Sequence, residues 1–177
     1  MELKKIIKIL KKELKNYKNP IVTEVADLHN DPFKVVISCV LSLRTKDAVT
    51  AKASKRLLEK APSPEQIFKL KNKEIEKLIY PVGFYKTKAK NIKIICRDLI
   101  EKHDSKVPDT EEELLKLKNV GRKTMGIVLC YGFNKNTHIP VDSHVHIISN
   151  RLGLVKTKTP KETEFGLYKV IPKKYWH

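Results

Sequence analysis

The chain has 177 residues, 41% of them hydrophobic, with only 6 glycines and 9 prolines. That describes an ordered globular protein of one domain or two small ones, not a low-complexity chain. Its 37 Lys and Arg against 20 Asp and Glu give a formal charge of +17, a field that favours polyanions and nucleic acid foremost. An anionic membrane surface competes as partner, but no apolar run is long enough to span a bilayer, and the N-terminus lacks the apolar core of a secretory signal. A Lys- and Glu-rich surface also accompanies life at high temperature.

The predicted elements are helical throughout. Leu3, Ile6, Ile7, Leu10, Leu14 and Tyr17 form one stripe with lysines opposite, which predicts an amphipathic helix to about Lys18, ended by Asn19-Pro20. Asp31 before Pro32 reads as an N-cap with a first-turn proline, opening an apolar helix from Phe33 to Leu43. A helix from about Lys46 to Lys60 follows. Ser63-Pro64-Glu65-Gln66 is a capping box. Asn72 is expected to cap a short helix to Ile79, broken by Pro81-Val82-Gly83. Tyr85 to His103 reads as a long helix, and Thr110 with Glu113 as a second capping box. Thr124 to Phe133 is almost wholly apolar, as a helix buried on most sides would be. The polar stretch Asn134 to Pro140 reads as a loop, followed by helices at about Ser143–Leu152 and Lys161–Val170. The fold class expected is all-α, with short connections. Cys39, Cys96 and Cys130 match no zinc spacing and no redox pair, so buried free thiols of a reducing cytosol are expected.

The stretch LKNVGRKT, Leu117 to Thr124, stops one helix and starts another. An apolar-x-x-apolar-Gly turn between two helices is a helix–hairpin–helix, although an ordinary helical corner has the same pattern. Amides at the turn and at the start of the second helix lack intrahelical partners and, with the helix dipole, suit a phosphate oxygen. Such contacts ignore base sequence. Asn119, Val120 and Gly121 would form this clamp, with Lys118 and Arg122 as added cations. Asparagine tolerates the left-handed backbone that the turn requires.

Three stretches together carry a resemblance: LKNVGRKT, the tetrad VDSH (Val141 to His144) and GFYKTKAKNI (Gly83 to Ile92). LSLRTKD (Leu41 to Asp47), KVP (Lys106 to Pro108) and SNRLGL (Ser149 to Leu154) extend it, in order, from about Asp31 to the C-terminus. The chain resembles the endonuclease III family of DNA glycosylases, within the helix–hairpin–helix superfamily that has a Gly/Pro-rich loop and a downstream aspartate.

The resemblance implies a base-excision-repair glycosylase with AP lyase activity on damaged, oxidised pyrimidines in duplex DNA. A monomer of a prokaryotic-type cytoplasm, associated with the nucleoid and with no membrane partner, is expected. Lys123 matches the family's catalytic lysine and Asp142 its catalytic aspartate. Lys123 separates this chain from adenine-specific relatives, which carry a small hydroxyl residue there, and from mismatch enzymes that carry tyrosine. Burial and the adjacent Arg122 cation are expected to make the amine easier to deprotonate. Asp142 also precedes a predicted helix, so capping competes with catalysis as its role. Arg44, Thr45 and Lys46 match a loop that enters the duplex, Phe84 a residue that wedges into it, and Lys88 and His144 further DNA contacts. Core packing is the competing role for Phe84. His144 and His146 stand two apart, so no metal site is expected.

By the same resemblance, two helical lobes are expected to flank a DNA-binding cleft. One is a six-helix unit over residues 22–133 that ends in the hairpin; the other combines 1–21 with 134–177. Two departures stand out. Lys118-Asn119 replaces the family's usual Pro-Gly in the hairpin. The family usually continues into a four-cysteine iron–sulfur loop, while this sequence stops at Lys174-Tyr175-Trp176-His177, so no 4Fe-4S cluster is expected in this chain. A non-catalytic or mismatch-directed helix–hairpin–helix DNA-binding protein is the rival reading.

Overall fold

The computed structural model describes residues 3–14 and 31–176. Its elements are α1 (Leu3–Glu13), α2 (Pro32–Ser42), α3 (Asp47–Lys60), α4 (Pro64–Lys69), α5 (Asn72–Ile79), α6 (Tyr85–Lys102), α7 (Glu111–Lys116), α8 (Arg122–Ile127), α9 (Ser143–Arg151) and α10 (Pro160–Val170). A π-helical stretch, Val128–Gly132, prolongs α8, and a 3₁₀ turn, Lys173–Tyr175, follows α10. No strand occurs among the described residues, and no helix there is long and apolar enough to cross a membrane.

Local chemistry sets most boundaries. Asp31 caps α2 through Oδ1, which accepts from the amides of Phe33 (2.9 Å) and Lys34 (3.4 Å). Ser63 and Gln66 cap α4 reciprocally. Thr110 Oγ1 accepts from Glu113 N at the head of α7, and Thr159 Oγ1 from Glu162 N at the head of α10. Asn72 does not cap α5. It is already helical, and the Lys71 amide donates instead to Glu74 Oε2 at 2.7 Å. The apolar helix expected from Thr124 begins two residues earlier, at Arg122, and widens into the π-helical turn. There Gly132 lies close against Pro32: a Cβ on Gly132 would stand 3.0 Å from Pro32 Cα. The part of the first helix expected beyond Leu14, and Asn19-Pro20, lie outside the described residues.

The core is built around α2. Its Val35, Val36, Ile37, Val40 and Leu41 are wholly buried, because a helix apolar on most faces needs neighbours on most sides. Those neighbours are α3, α6, α8 and the π-helical turn. The long α6 packs on α4 and α5, burying Ile92, Ile95 and Leu99. Cys39, Cys96 and Cys130 are buried free thiols. At the other end α9 packs on α10, Trp176 stacks on Tyr168 at 4.5 Å, and Lys11 of α1 lies over the Tyr175 ring. On α1, Ile6 is buried while Ile9, Leu10 and Leu14 are exposed.

Two core hydroxyls, Ser38 Oγ and Ser54 Oγ, are buried with no partner among the described residues. A buried unpaired hydroxyl costs about 1–3 kcal/mol, and alanine is the better helix former. Ser54→Ala should therefore raise stability by about 1 kcal/mol, or about 2–4 °C in Tm for a chain of this size. Thermal denaturation checks it; an unchanged or lower Tm means the hydroxyl is satisfied in solution.

Candidate active site

The hairpin places the first of the expected residues. Leu117 and Val120 are buried and anchor the turn in the core, with Val120 N donating to Leu117 O at 3.1 Å. The left-handed residue is Asn119, at φ 61. Gly121 is extended, at φ −96 and ψ 179, a backbone that any residue adopts. Nor does the protein crowd it: a Cβ there would meet nothing within 4 Å. The room at Gly121 is open toward the outside, beside the unpaired amides that begin α8. Lys118 and Asn119 are exposed on the same turn; Val120 contributes backbone only, since its side chain belongs to the core.

Lys123 sits in the first turn of α8, and its Nζ donates to Asp142 Oδ2 at 3.0 Å. Asp142 is the N-cap of α9. Its Oδ1 accepts from the amides of His144 (3.0 Å) and Val145 (2.9 Å). The two carboxylate oxygens thus divide the work, one holding the helix and the other facing the amine. Burial is the largest single influence on this carboxyl and pushes its pKa up. The Val145 amide, the Lys123 ammonium and the His144 amide together outweigh burial and hold it below the usual carboxylate range. A cavity of about 470 Å³ opens beside the amine, lined by Leu43, Asn119, Gly121, Lys123, Val141 and Glu164 among others, within the size range of small-ligand sites. His144 is exposed beside Asp142, while His146 turns inward to Thr163 Oγ1.

Arg122 departs from expectation. Its guanidinium forks onto Glu164, with Nε to Oε2 at 2.8 Å and Nη2 to Oε1 at 2.9 Å, and Nη1 donates to Glu111 Oε1. The Glu164 hydrogen bonds, against the cost of burial, raise its pKa further. Glu164 is 4% exposed and also accepts from Tyr168 OH. The second oxygen of Glu111 meets His138 Nε2 at 2.9 Å. The Arg122 guanidinium is therefore engaged with two carboxylates rather than left as an unmatched cation pressing on Lys123. Neither Glu164, Glu111 nor His138 stood out in the sequence. Glu164 lies on a helix whose period carries no mark of a buried charge.

Lys88 also departs. Expected at the DNA, it is buried, and its Nζ donates to Leu41 O (2.8 Å), Leu43 O (2.5 Å) and Thr45 Oγ1 (3.1 Å). Burial pulls its pKa down to about 8. Thr45 is likewise engaged within the protein, its hydroxyl accepting from Gly83 N at 3.2 Å. Lys46 is exposed at the start of α3. Arg44 is exposed, and Phe84 is 64% exposed, which removes core packing as its role.

Similarity to known proteins matches this geometry. Residues 37–173 match the family model for the HhH-GPD superfamily base excision DNA repair protein. The chain is 53% identical over 146 residues to endonuclease III of Thermotoga maritima, covering 82% of this chain and 68% of the relative. It is 36% identical over 148 residues to endonuclease III of Synechocystis sp., covering 84% and 68%. A solved complex of a trapped endonuclease III–DNA covalent intermediate superposes with a TM-score of 0.84 at 35% identity, covering 99% of this chain and 82% of that one. A thermostable thymine-DNA glycosylase at 22% identity and TM-score 0.73 shares the fold. The hairpin, the all-helical fold and the extent of these matches lead to one assignment: the chain belongs to the endonuclease III family of the HhH-GPD superfamily.

Proposed function

We propose that this chain is a base-excision-repair DNA glycosylase with AP lyase activity, acting as a monomer on oxidised pyrimidines in duplex DNA. The observation that carries the reading is the 3.0 Å contact between Lys123 Nζ and Asp142 Oδ2, with Lys123 lining a cavity beside the hairpin. An amine and a carboxylate so placed suit nucleophilic displacement at a sugar carbon. Lys123 first gives up a proton, and Asp142 Oδ2 is in position to take it. The Nζ lone pair then forms a bond to C1′ while the C1′–N bond to the base breaks, and the departing base takes the proton from Asp142, which is left a carboxylate. The second Nζ proton passes to Asp142 and on to O4′ as the nitrogen lone pair breaks the C1′–O4′ bond, which opens the ring to a Schiff base. Removal of a C2′ proton expels the 3′ phosphate. The carboxylate stabilises positive charge that develops on the sugar. Because the charge of Asp142 is stabilised by two amides and the ammonium, it is anionic at neutral pH, as this role needs.

The division into a 22–133 unit and a second unit of 1–21 with 134–177 is part of the reading, with DNA lying across the junction where Lys123 and Asp142 meet. A flipped nucleotide would enter the cavity. An iron–sulfur cluster does not fit the described residues: Cys39, Cys96 and Cys130 are buried on different elements, and no group of three or more His, Cys, Asp or Glu among those residues is arranged to hold a metal. We infer that they hold none, and no step of the reaction is routed through one.

Borohydride trapping on duplex bearing an abasic site or an oxidised pyrimidine tests the chemistry, since only an amine nucleophile becomes covalently attached. Lys123→Gln should abolish trapping and strand cleavage while binding persists; trapping retained in that variant would assign the amine elsewhere.

Asp142→Asn keeps an oxygen for the His144 and Val145 amides but turns an NH₂ toward the ammonium. It should melt within about 2–4 °C of wild type, since a half-exposed ion pair contributes about 1 kcal/mol or less. Single-turnover excision should nonetheless slow by at least tenfold, about 1.4 kcal/mol of barrier. Excision within about threefold of wild type, less than 1 kcal/mol, would leave capping as its whole role.

Gly121→Val tests the clamp. The extended backbone and the empty space around Gly121 predict little effect on folding. Affinity for duplex should fall in every sequence context and stay steeply salt-dependent. A loss confined to one sequence would point to base readout instead.

A further inference from the structure

Two loops far apart in sequence meet beside the site. The α2–α3 loop carries Arg44, and the α5–α6 loop carries Phe84. Both residues take left-handed backbone, φ 51 and φ 57, which non-glycine residues adopt only where the surroundings hold them. Both are exposed, and the Arg44 guanidinium lies over the Phe84 ring at 5.9 Å. A guanidinium and an aromatic ring side by side are the groups that stack on bases. Strain at two exposed, adjacent tips requires a support beneath them.

The support is internal. Lys88 of α6 spends all three ammonium donors on the other loop, at Leu41 O, Leu43 O and Thr45 Oγ1. The first carbonyl belongs to the last turn of α2, where the helix dipole favours a cation. Thr45 Oγ1 accepts from Gly83 N as well, which carries the connection back to the residue before Phe84. Contact there is close: a Cβ on Gly83 would stand 2.7 Å from Arg44 O. The chain of contacts from ammonium to hydroxyl to glycine amide is continuous.

We propose that Lys88 is a positioning residue: its buried ammonium fastens the Arg44 loop to the Phe84 loop, so that both exposed side chains meet a DNA duplex as one rigid probe at the damaged base pair. This rests on the glycosylase reading above. Lys88 itself touches no DNA in this arrangement. Its effect passes through the two loops and is confined to substrates whose base pairs have to be opened.

Two variants test it. Lys88→Met keeps an unbranched stem and removes all three donors. Thr45→Val keeps the Lys88 bonds to the two carbonyls and removes the hydroxyl that joins Lys88 to Gly83, together with that hydroxyl's own bond to Leu43 O. Each is compared with wild type by amide hydrogen exchange in residues 41–46 and 82–85, by single-turnover excision of thymine glycol from duplex, and by borohydride trapping on a single-stranded abasic oligonucleotide. The last needs Lys123 but no duplex to open. Expected for Lys88→Met is faster exchange in both loops together, excision from duplex slowed roughly 10- to 100-fold, and single-strand trapping within about threefold of wild type. Thr45→Val should move the same readouts in the same direction by less, and it decides the matter if Lys88→Met does not fold. Faster exchange in one loop only, unchanged exchange in both, or trapping that falls in step with excision would overturn the proposal. Wild-type protein that fails to trap would refute the glycosylase reading, while hydrogen exchange would still judge the coupling of the loops.

Discussion

The Arg122 guanidinium is the joint on which the candidate site depends. It stands at the first position of α8, one residue before Lys123, and it is gripped by Glu164 from α10 and Glu111 from α7. A planar cation held by two oxygens of one carboxylate and one of another has little rotational freedom. Since α9 packs on α10, fixing α8 against α10 also fixes Lys123 against Asp142. Removing Arg122 would leave the buried Glu164 carboxylate without its cation, which costs more than the intact pair contributes. The cluster is better understood as a device for geometry than as a source of stability.

Asp142 shows how economically the site is built. One oxygen receives two backbone amides, and those bonds lock the carboxylate in the orientation that presents the other oxygen to Lys123. Capping and contact with the amine are not alternatives here, because the cap supplies the aim. The hairpin has a similar economy. Its left-handed turn is carried by Asn119, which leaves Gly121 extended and uncrowded, so the glycine's value lies in the space it leaves for something outside the protein.

Positive charge proved a poor guide to which cations face outward. Lysines and arginines cover the chain, yet Arg122 and Lys88, adjacent to or within the most informative motifs, point inward and hold structure. Both are well satisfied by oxygen, which is how a long cationic side chain tolerates burial. Among the residues left outward at the same motifs are Lys118, Arg44, Lys46 and Phe84.

The sequence by itself determined the helices, because caps, prolines and apolar periodicity act over a few residues. Asp31, Ser63, Thr110 and the apolar run in α2 each acted where local chemistry put them. Lys123 and Asp142 were marked through the resemblance of LKNVGRKT and VDSH to family motifs, each a short stretch, even though the two residues belong to different elements. The tertiary structure alone decided their 3.0 Å approach, the inward turn of Arg122 and Lys88, and the exposure of Phe84. Each of those depends on partners distant in the chain: Lys123 and Asp142 are 19 residues apart, Arg122 and Glu164 are 42 apart, and Lys88 reaches back 47 residues to Leu41. Helical periodicity records which face of an element is buried. It does not record which buried oxygen a distant cation will find, and that is settled only when the helices pack.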